Sequence, residues 1–220
     1  MDIWLDTTDI QLVHKAVKLG IVAGVTTNPS LIAKANRNQE EIVDDLLHAQ
    51  EGPVAIQVLA TDMEEMVQQG QMLYSLSNRL IIKIPLTQEG IESIHLLSRQ
   101  GIPTMATAIF HPRQALLAAL AGANYVAPYI SRIEKIGENP WKVLQSISHI
   151  FHSYRMKTKI LGASLQTIDH LLQCAECGIS GVTVHKELFD KFVESEEHTL
   201  QAVQQFSLEG EKYPFLFAVK

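Results

Sequence analysis

Apolar and polar positions along the chain fall into two alternating kinds of segment. Short runs rich in β-branched and apolar residues recur at Ile3–Asp6, Ile21–Val25, Val54–Val58, Leu80–Ile84, Thr104–Ile109, Tyr125–Ala127, Lys159–Ala163 and Gly181–Val184. Each has the length and residue types of a buried strand. Between them lie longer stretches with a 3.6-residue apolar period: Asp9–Leu19, Glu40–Gln50, Asp62–Leu76, Gln88–Gln100, Pro112–Ala121, Pro140–Tyr154 and Thr167–Cys177, with an eighth from about Lys186. Gly20, Gly101, Gly122 and Gly178 fall where helices must stop, and Pro112 and Pro140 where helices can start. Eight successive strand–helix units without a break in composition predict a parallel sheet with crossover helices, and eight is the number that closes into a (β/α)8 TIM barrel. A doubly wound open sheet is the competing arrangement. Its G-x-G-x-x-G phosphate turn is absent, so the expected fold is one barrel domain over residues 1–220.

Composition narrows the function classes. The 18 Lys+Arg against 24 Asp+Glu leave a net charge of −6, which lacks the basic footprint of a nucleic-acid binder. No apolar stretch approaches the ~20 residues that span a bilayer, so no membrane partner is expected. The start, Met1-Asp2-Ile3-Trp4-Leu5-Asp6, has neither a basic n-region nor a cleavage site and reads as strand, which points to a cytoplasmic protein. Cys174 and Cys177 form a C-x-x-C pair inside an apolar helical segment, without the second pair or nearby histidines that zinc needs. They read as buried helix thiols. The nine histidines are scattered, and His149 with His152 forms the one i,i+3 pair, away from the strand ends. Neither metal nor cofactor is expected.

The chemistry gathers at the carboxyl ends of the strands, where a barrel places its active site. Lys83 stands within Leu80-Ile81-Ile82-Lys83-Ile84-Pro85, otherwise a fully apolar run. Alternation places Ile81 and Lys83 on one face and Leu80, Ile82 and Ile84 on the other. A lysine at a strand end can snorkel its charge into water. If it points inward instead, loss of hydration lowers its pKa and frees a neutral amine for Schiff-base chemistry. Polar residues close the other runs: Asp6, Thr26-Thr27-Asn28, Gln57, Thr107, Tyr129 with Arg132, and Ser164. A Schiff-base mechanism needs a base for the leaving hydroxyl, which Asp6 offers, unless Asp6 merely opens the helix after Thr7-Thr8-Asp9. Gln57, Thr107 and Tyr129 are placed to hold a water. Thr27, Asn28 and Ser164 make up the candidate substrate-binding set with Arg132, whose fixed charge suits a phosphate or distal hydroxyl.

These residues sit in motifs that resemble a known family. Gly24-Val25-Thr26-Thr27-Asn28-Pro29-Ser30, Ile82-Lys83-Ile84-Pro85 with Glu89-Gly90, Ala121-Gly122-Ala123 with Tyr125-Val126-Ala127-Pro128-Tyr129, and Ala163-Ser164 resemble the transaldolase family. The match is to its small-subunit branch, which includes the fructose-6-phosphate aldolases, and it runs in order from residue 2 to about 190. The resemblance implies a class I aldolase barrel with the Schiff-base lysine, Lys83, on strand four. It implies that Asp6 is the acid/base group and that Asn28 and Ser164 bind a dihydroxyacetone moiety. Transaldolases in the family typically carry Glu on strand three, Phe on strand six and Asn two residues before the strand-five threonine. Gln57, Tyr129 and Met105 stand there in this chain, similar to the fructose-6-phosphate aldolase branch. The expected activity is therefore reversible cleavage of fructose 6-phosphate or a related ketose phosphate to dihydroxyacetone and an aldehyde phosphate. Transaldolase transfer of the same unit is the alternative, and a silent sugar-phosphate-binding barrel the third reading.

Two departures bear on this. After Ser164 the family usually has a bulky residue and then a cation, whereas here Leu165 and Gln166 follow; His185 stands where related sequences tend to have proline. Beyond residue 190 the match fades. Glu196–Ser207 reads as a helix, and Tyr213-Pro214-Phe215-Leu216-Phe217-Ala218-Val219 forms an apolar cluster that must either fold back or dock on a neighbouring subunit. The resemblance implies a homo-oligomer, pentamer or decamer.

Overall fold

The computed structural model describes residues 1–211. Within them the chain runs β1 (Asp2–Asp6), α1 (Ile10–Lys18), β2 (Val22–Thr26), α2 (Pro29–Ala35), α3 (Gln39–Ala49), β3 (Val54–Gln57), α4 (Met63–Leu76), β4 (Leu80–Pro85) and α5 (Gln88–Arg99). It continues through β5 (Thr104–Ile109), α6 (Pro112–Ala121), β6 (Tyr125–Pro128), α7 (Ile130–Lys135), α8 (Pro140–Ser153), β7 (Lys159–Gly162), α9 (Ile168–Glu176), β8 (Gly181–Val184), α10 (Lys186–Phe192) and α11 (Glu197–Gly210). The eight strands pair in parallel in sequence order, and β8 closes on β1, making a (β/α)8 barrel.

Alternation along each strand separates two apolar regions. Leu80, Ile82 and Ile84 of β4 face the helices in a large shell with Val54, Ile56, Val126 and Val182. Ile81 faces the barrel axis and meets Trp4, Ala55, Met105, Ala127 and Leu161 in a smaller interior cluster. Gly24 makes room for that cluster: a Cβ there would lie 2.9 Å from the Trp4 ring and 2.7 Å from the Pro53 carbonyl oxygen.

The expected helix stops are present, with Gly20, Gly101, Gly122 and Gly178 all at positive φ. Pro112 and Pro140 each open a helix. Two short helices, α2 and α7, were not expected from periodicity. With seven and six residues they are too brief to develop an apolar repeat. The predicted helix Glu196–Ser207 is α11, which starts after Glu196 without a side-chain cap and extends to Gly210. It buries no residue and leaves Leu200, Val203, Phe206 and Leu208 exposed. The apolar cluster Tyr213–Val219 lies outside the described residues. Among those that are described, no helix is long and apolar enough to cross a membrane.

Candidate active site

At the carboxyl ends of the strands the barrel opens into a cavity of about 450 Å³. Asp6, Asn28, Gln57, Lys83, Tyr129, Arg132 and Ser164 line it, and so do Lys34, Gln166, Thr183 and His185.

Lys83 comes from β4 and is 6% exposed. It does not snorkel: its Nζ donates to the Thr27 carbonyl oxygen at 2.6 Å. Burial pushes its pKa below the ordinary lysine value, while the Asp6 carboxylate pulls partly the other way. The net direction favours a neutral amine, whose lone pair is a nucleophile.

Asp6 ends β1. The helix that follows is capped by Asp9, whose carboxylate accepts from the Gln11 and Leu12 amides, so Asp6 is free of that task. Its Oδ1 accepts from Thr26 Oγ1 at 2.9 Å, and Asn28 Nδ2 donates to Oδ2 at 3.1 Å. Asn28 has two roles, since its Oδ1 also accepts from the Leu31 amide and caps α2. The cap fixes the side chain and so aims its NH2 group at the carboxylate.

Across the mouth, Tyr129 Oη lies 2.8 Å from Thr107 Oγ1. A register shift in β5 between Ala106 and Ile109, with Ala108 at φ 58°, brings Thr107 under the phenol. Phe110 meets the Tyr129 ring edge-on, and the Arg132 guanidinium sits 4.6 Å from its centroid. Ser164 adopts a left-handed conformation, φ 61°, that a non-glycine residue holds at a cost of about 1–3 kcal/mol. Its surroundings hold it there: Ser131 Oγ is 2.8 Å from Ser164 Oγ, and the Ser131 amide donates to the Ser164 carbonyl.

Not every expected residue reaches the cavity with its side chain. Thr27 is fully buried and its hydroxyl donates to the Ala55 carbonyl; its carbonyl, not its hydroxyl, touches Lys83. Thr107 stands behind Tyr129. Three residues in or beside the site were missed: Thr183, Lys34 and Ser131. Thr183 was recoverable from alternation, because it stands two residues beyond Gly181 just as Lys83 stands two beyond Ile81. His185 caps α10 at the rim, with Nδ1 near both the Leu188 amide and Glu187 Oε2, 2.8 Å away. Neither cysteine of the C-x-x-C pair lines the cavity, and Cys174 is buried, its thiol pushed up to about 12 by desolvation, which makes it inert at neutral pH.

The cavity thus brings together a buried amine, a carboxylate with two fixed donors, a phenol–hydroxyl pair and cationic groups at its rim. The family model described as transaldolase/fructose-6-phosphate aldolase matches residues 3–215. Relatives called probable transaldolase are similar along nearly their whole length. The one from Coprothermobacter proteolyticus is 41% identical over 216 residues, 97% of this chain and 98% of its own. That from Aquifex aeolicus is 37% identical, again over 97% of this chain and 98% of its own. That from Petrotoga mobilis is 43% identical over 191 residues, 87% of this chain and 86% of its own. With the family model spanning almost the full chain and relatives of this similarity, the chain belongs to the transaldolase/fructose-6-phosphate aldolase family.

Proposed function

We propose that this chain is a Schiff-base enzyme that takes a dihydroxyacetone unit from a ketose phosphate and hands it to an aldehyde-phosphate acceptor. The observation that carries the reading is Lys83: a buried amine with lowered pKa, opening onto a cavity shared with the Asp6 carboxylate. Its lone pair attacks the ketone carbon, water leaves, and the resulting iminium becomes an electron sink. Asp6 takes the proton from the hydroxyl on the carbon at the far end of the bond to be broken, so that this carbon becomes the carbonyl of the departing aldehyde. That bond cleaves, an aldehyde phosphate departs, and the electron pair moves into the iminium to give an enamine. Asn28 and Ser164 hold the dihydroxyacetone hydroxyls. Arg132 and Lys34 lie at the rim, where a phosphate on the far end of the sugar would reach.

The fate of the enamine separates two activities. Attack on a second aldehyde completes a transfer, the transaldolase reaction after which the relatives are named. Protonation followed by hydrolysis releases free dihydroxyacetone, the aldolase reaction. The relatives' names favour the first. A specific observation favours the second: the Tyr129 hydroxyl pairs with Thr107 and lines the same cavity as Gln57, which supports a role for the phenol in protonating the enamine.

Borohydride reduction in the presence of fructose 6-phosphate, followed by peptide mapping, is expected to place a stable adduct on Lys83; an adduct elsewhere, or none, sinks the mechanism at its first step. Product analysis then decides the acceptor. Turnover that depends on erythrose 4-phosphate supports transfer, whereas dihydroxyacetone released from fructose 6-phosphate alone supports the aldolase. Assembly belongs to the same reading. The exposed apolar flank of α11 supports a homo-oligomer, and light scattering is expected to give five or ten times the chain mass.

A further inference from the structure

Thr183 contributes a second observation at the same site. Its side chain is 6% exposed, lines the cavity, and places Oγ1 2.7 Å from Thr26 Oγ1. Thr26, 1% exposed, in turn donates to Asp6 Oδ1 at 2.9 Å. A hydroxyl has one proton to give, and an ionised carboxylate can only accept. The Thr26 proton is therefore committed to Asp6, and the proton between the two threonines comes from Thr183. The chain has one polarity, from Thr183 through Thr26 to Asp6. Each donation strengthens the next, because a hydroxyl that accepts a hydrogen bond becomes a better donor.

We propose that Thr183 is a positioning residue for the cleavage step, acting on Asp6 through Thr26. It fixes the direction of the Thr26 hydroxyl, which with Asn28 holds the carboxylate in one orientation. The carboxylate's remaining lone pairs are then turned to the cavity, ready for the substrate hydroxyl. Thr183 never receives the proton, and among the described residues it makes no hydrogen bond to Lys83, whose amine donates to the Thr27 carbonyl. Its loss therefore leaves Schiff-base formation intact and slows the bond cleavage that follows. The inference rests on the Schiff-base reading above.

The test is a mutant cycle read at two steps, adduct formation and turnover. Thr183→Val keeps the shape of the side chain and removes its proton. It is expected to lower kcat roughly five- to tenfold, the size of one buried hydrogen bond, with KM within about twofold and the borohydride adduct on Lys83 undiminished. Thr183→Ser is expected to restore kcat. Placed on Asp6→Asn, or on Thr26→Val, Thr183→Val is expected to add no further loss, because the group it acts through is already gone. The Thr26→Val pair keeps the test alive should the valine at 183 disturb folding alone. Unchanged kcat in Thr183→Val, an equal extra loss in the Asp6→Asn background, or failure of serine to rescue would each overturn the inference. An unmodified protein that forms no adduct overturns the Schiff-base reading and this role with it, whereas an adduct with an indifferent Thr183→Val sinks only the role.

Discussion

The lower and upper halves of the barrel interior are built from the same strands, two residues apart, and behave oppositely. Below, Trp4, Ala55, Ile81, Met105 and Ala127 close the axis with apolar side chains. One step of alternation above them stand Asp6, Gln57, Lys83, Thr107 and Tyr129. The lower layer has nothing to offer a substrate, yet it is the floor that keeps water from Lys83 from below. The upper layer contributes little apolar burial, and it contains charged and polar groups that oppose folding unless paired. Pairing is nearly complete there, through Thr26, Asn28, Thr107 and the Thr27 carbonyl. In these five strands, the apolar layer and the proposed chemistry are thus separated by one pleat.

The largest expected effect tests that separation at β4. Lys83→Met should remove the borohydride adduct and reduce turnover by at least roughly a thousandfold, as loss of a nucleophile does. Folding should survive, and the pH dependence of stability carries the sign. Burial depresses the Lys83 pKa in the folded chain below the ordinary value of 10.5. Between that depressed value and 10.5 the unfolded chain binds more protons, so wild-type stability rises with pH across this window. Methionine abolishes that slope. Lys83→Met should therefore exceed the wild type most at low pH, with the gap closing toward 10.5. Denaturant melts at several pH values measure this, and a variant less stable than wild type at low pH breaks the comparison.

Trp4→Ala addresses the layer below. Truncating a buried tryptophan costs about 3–5 kcal/mol, so thermal unfolding should move down by roughly 10 °C. The adduct on Lys83 should still form in the molecules that remain folded. Among the described residues, Trp4 Nε1 is buried with no hydrogen-bond partner, so Trp4→Phe should lose much less than Trp4→Ala. A Trp4→Ala protein with unchanged melting and no adduct would show that the floor acts in the chemistry itself.

Tyr129→Phe comes next in size and sharpens the upper layer. It keeps the ring that Phe110 and Arg132 touch and removes only the hydroxyl on Thr107. Release of free dihydroxyacetone should fall by about a hundredfold or more, the lower end of what a general acid contributes. Transfer to an acceptor needs no proton at that carbon and should fall less. Equal losses in both reactions would take the proton-donor role away from Tyr129.

Much of this division was legible from period two alone. Alternation on β4 separates Ile81 and Lys83 from Leu80, Ile82 and Ile84, and the structure assigns these to the two faces expected. The same rule, applied to β2, would have shown that Thr26 and not Thr27 turns inward, and on β8 it would have found Thr183. What no period carries is contact made by irregular backbone. The β5 register shift that sets Thr107 under Tyr129 and the left-handed Ser164 that meets Ser131 depend on how neighbouring strand ends are staggered. The short α2 and α7, which present Lys34 and Arg132 at the rim, leave too brief a pattern to read.

Lys34 supplies the smallest expected effect and asks how far the upper layer extends. It lines the cavity from the last turn of α2, is exposed, and makes no ion pair among the described residues. Gln166, also on the cavity, is neutral where the family usually has a cation, and Arg132 is stacked on Tyr129. On the proposed function, an unpaired ammonium on the same cavity would attract a substrate phosphate that Gln166 does not. Exposure and salt screening keep such an attraction small, under about 1 kcal/mol. Lys34→Ala should thus raise KM for a phosphorylated ketose about two- to fivefold, leave kcat alone, and leave KM for unphosphorylated dihydroxyacetone unchanged. The difference should shrink as salt is added. A rise in KM that is equal for both substrates would place Lys34 outside phosphate recognition and end the functional layer at Arg132.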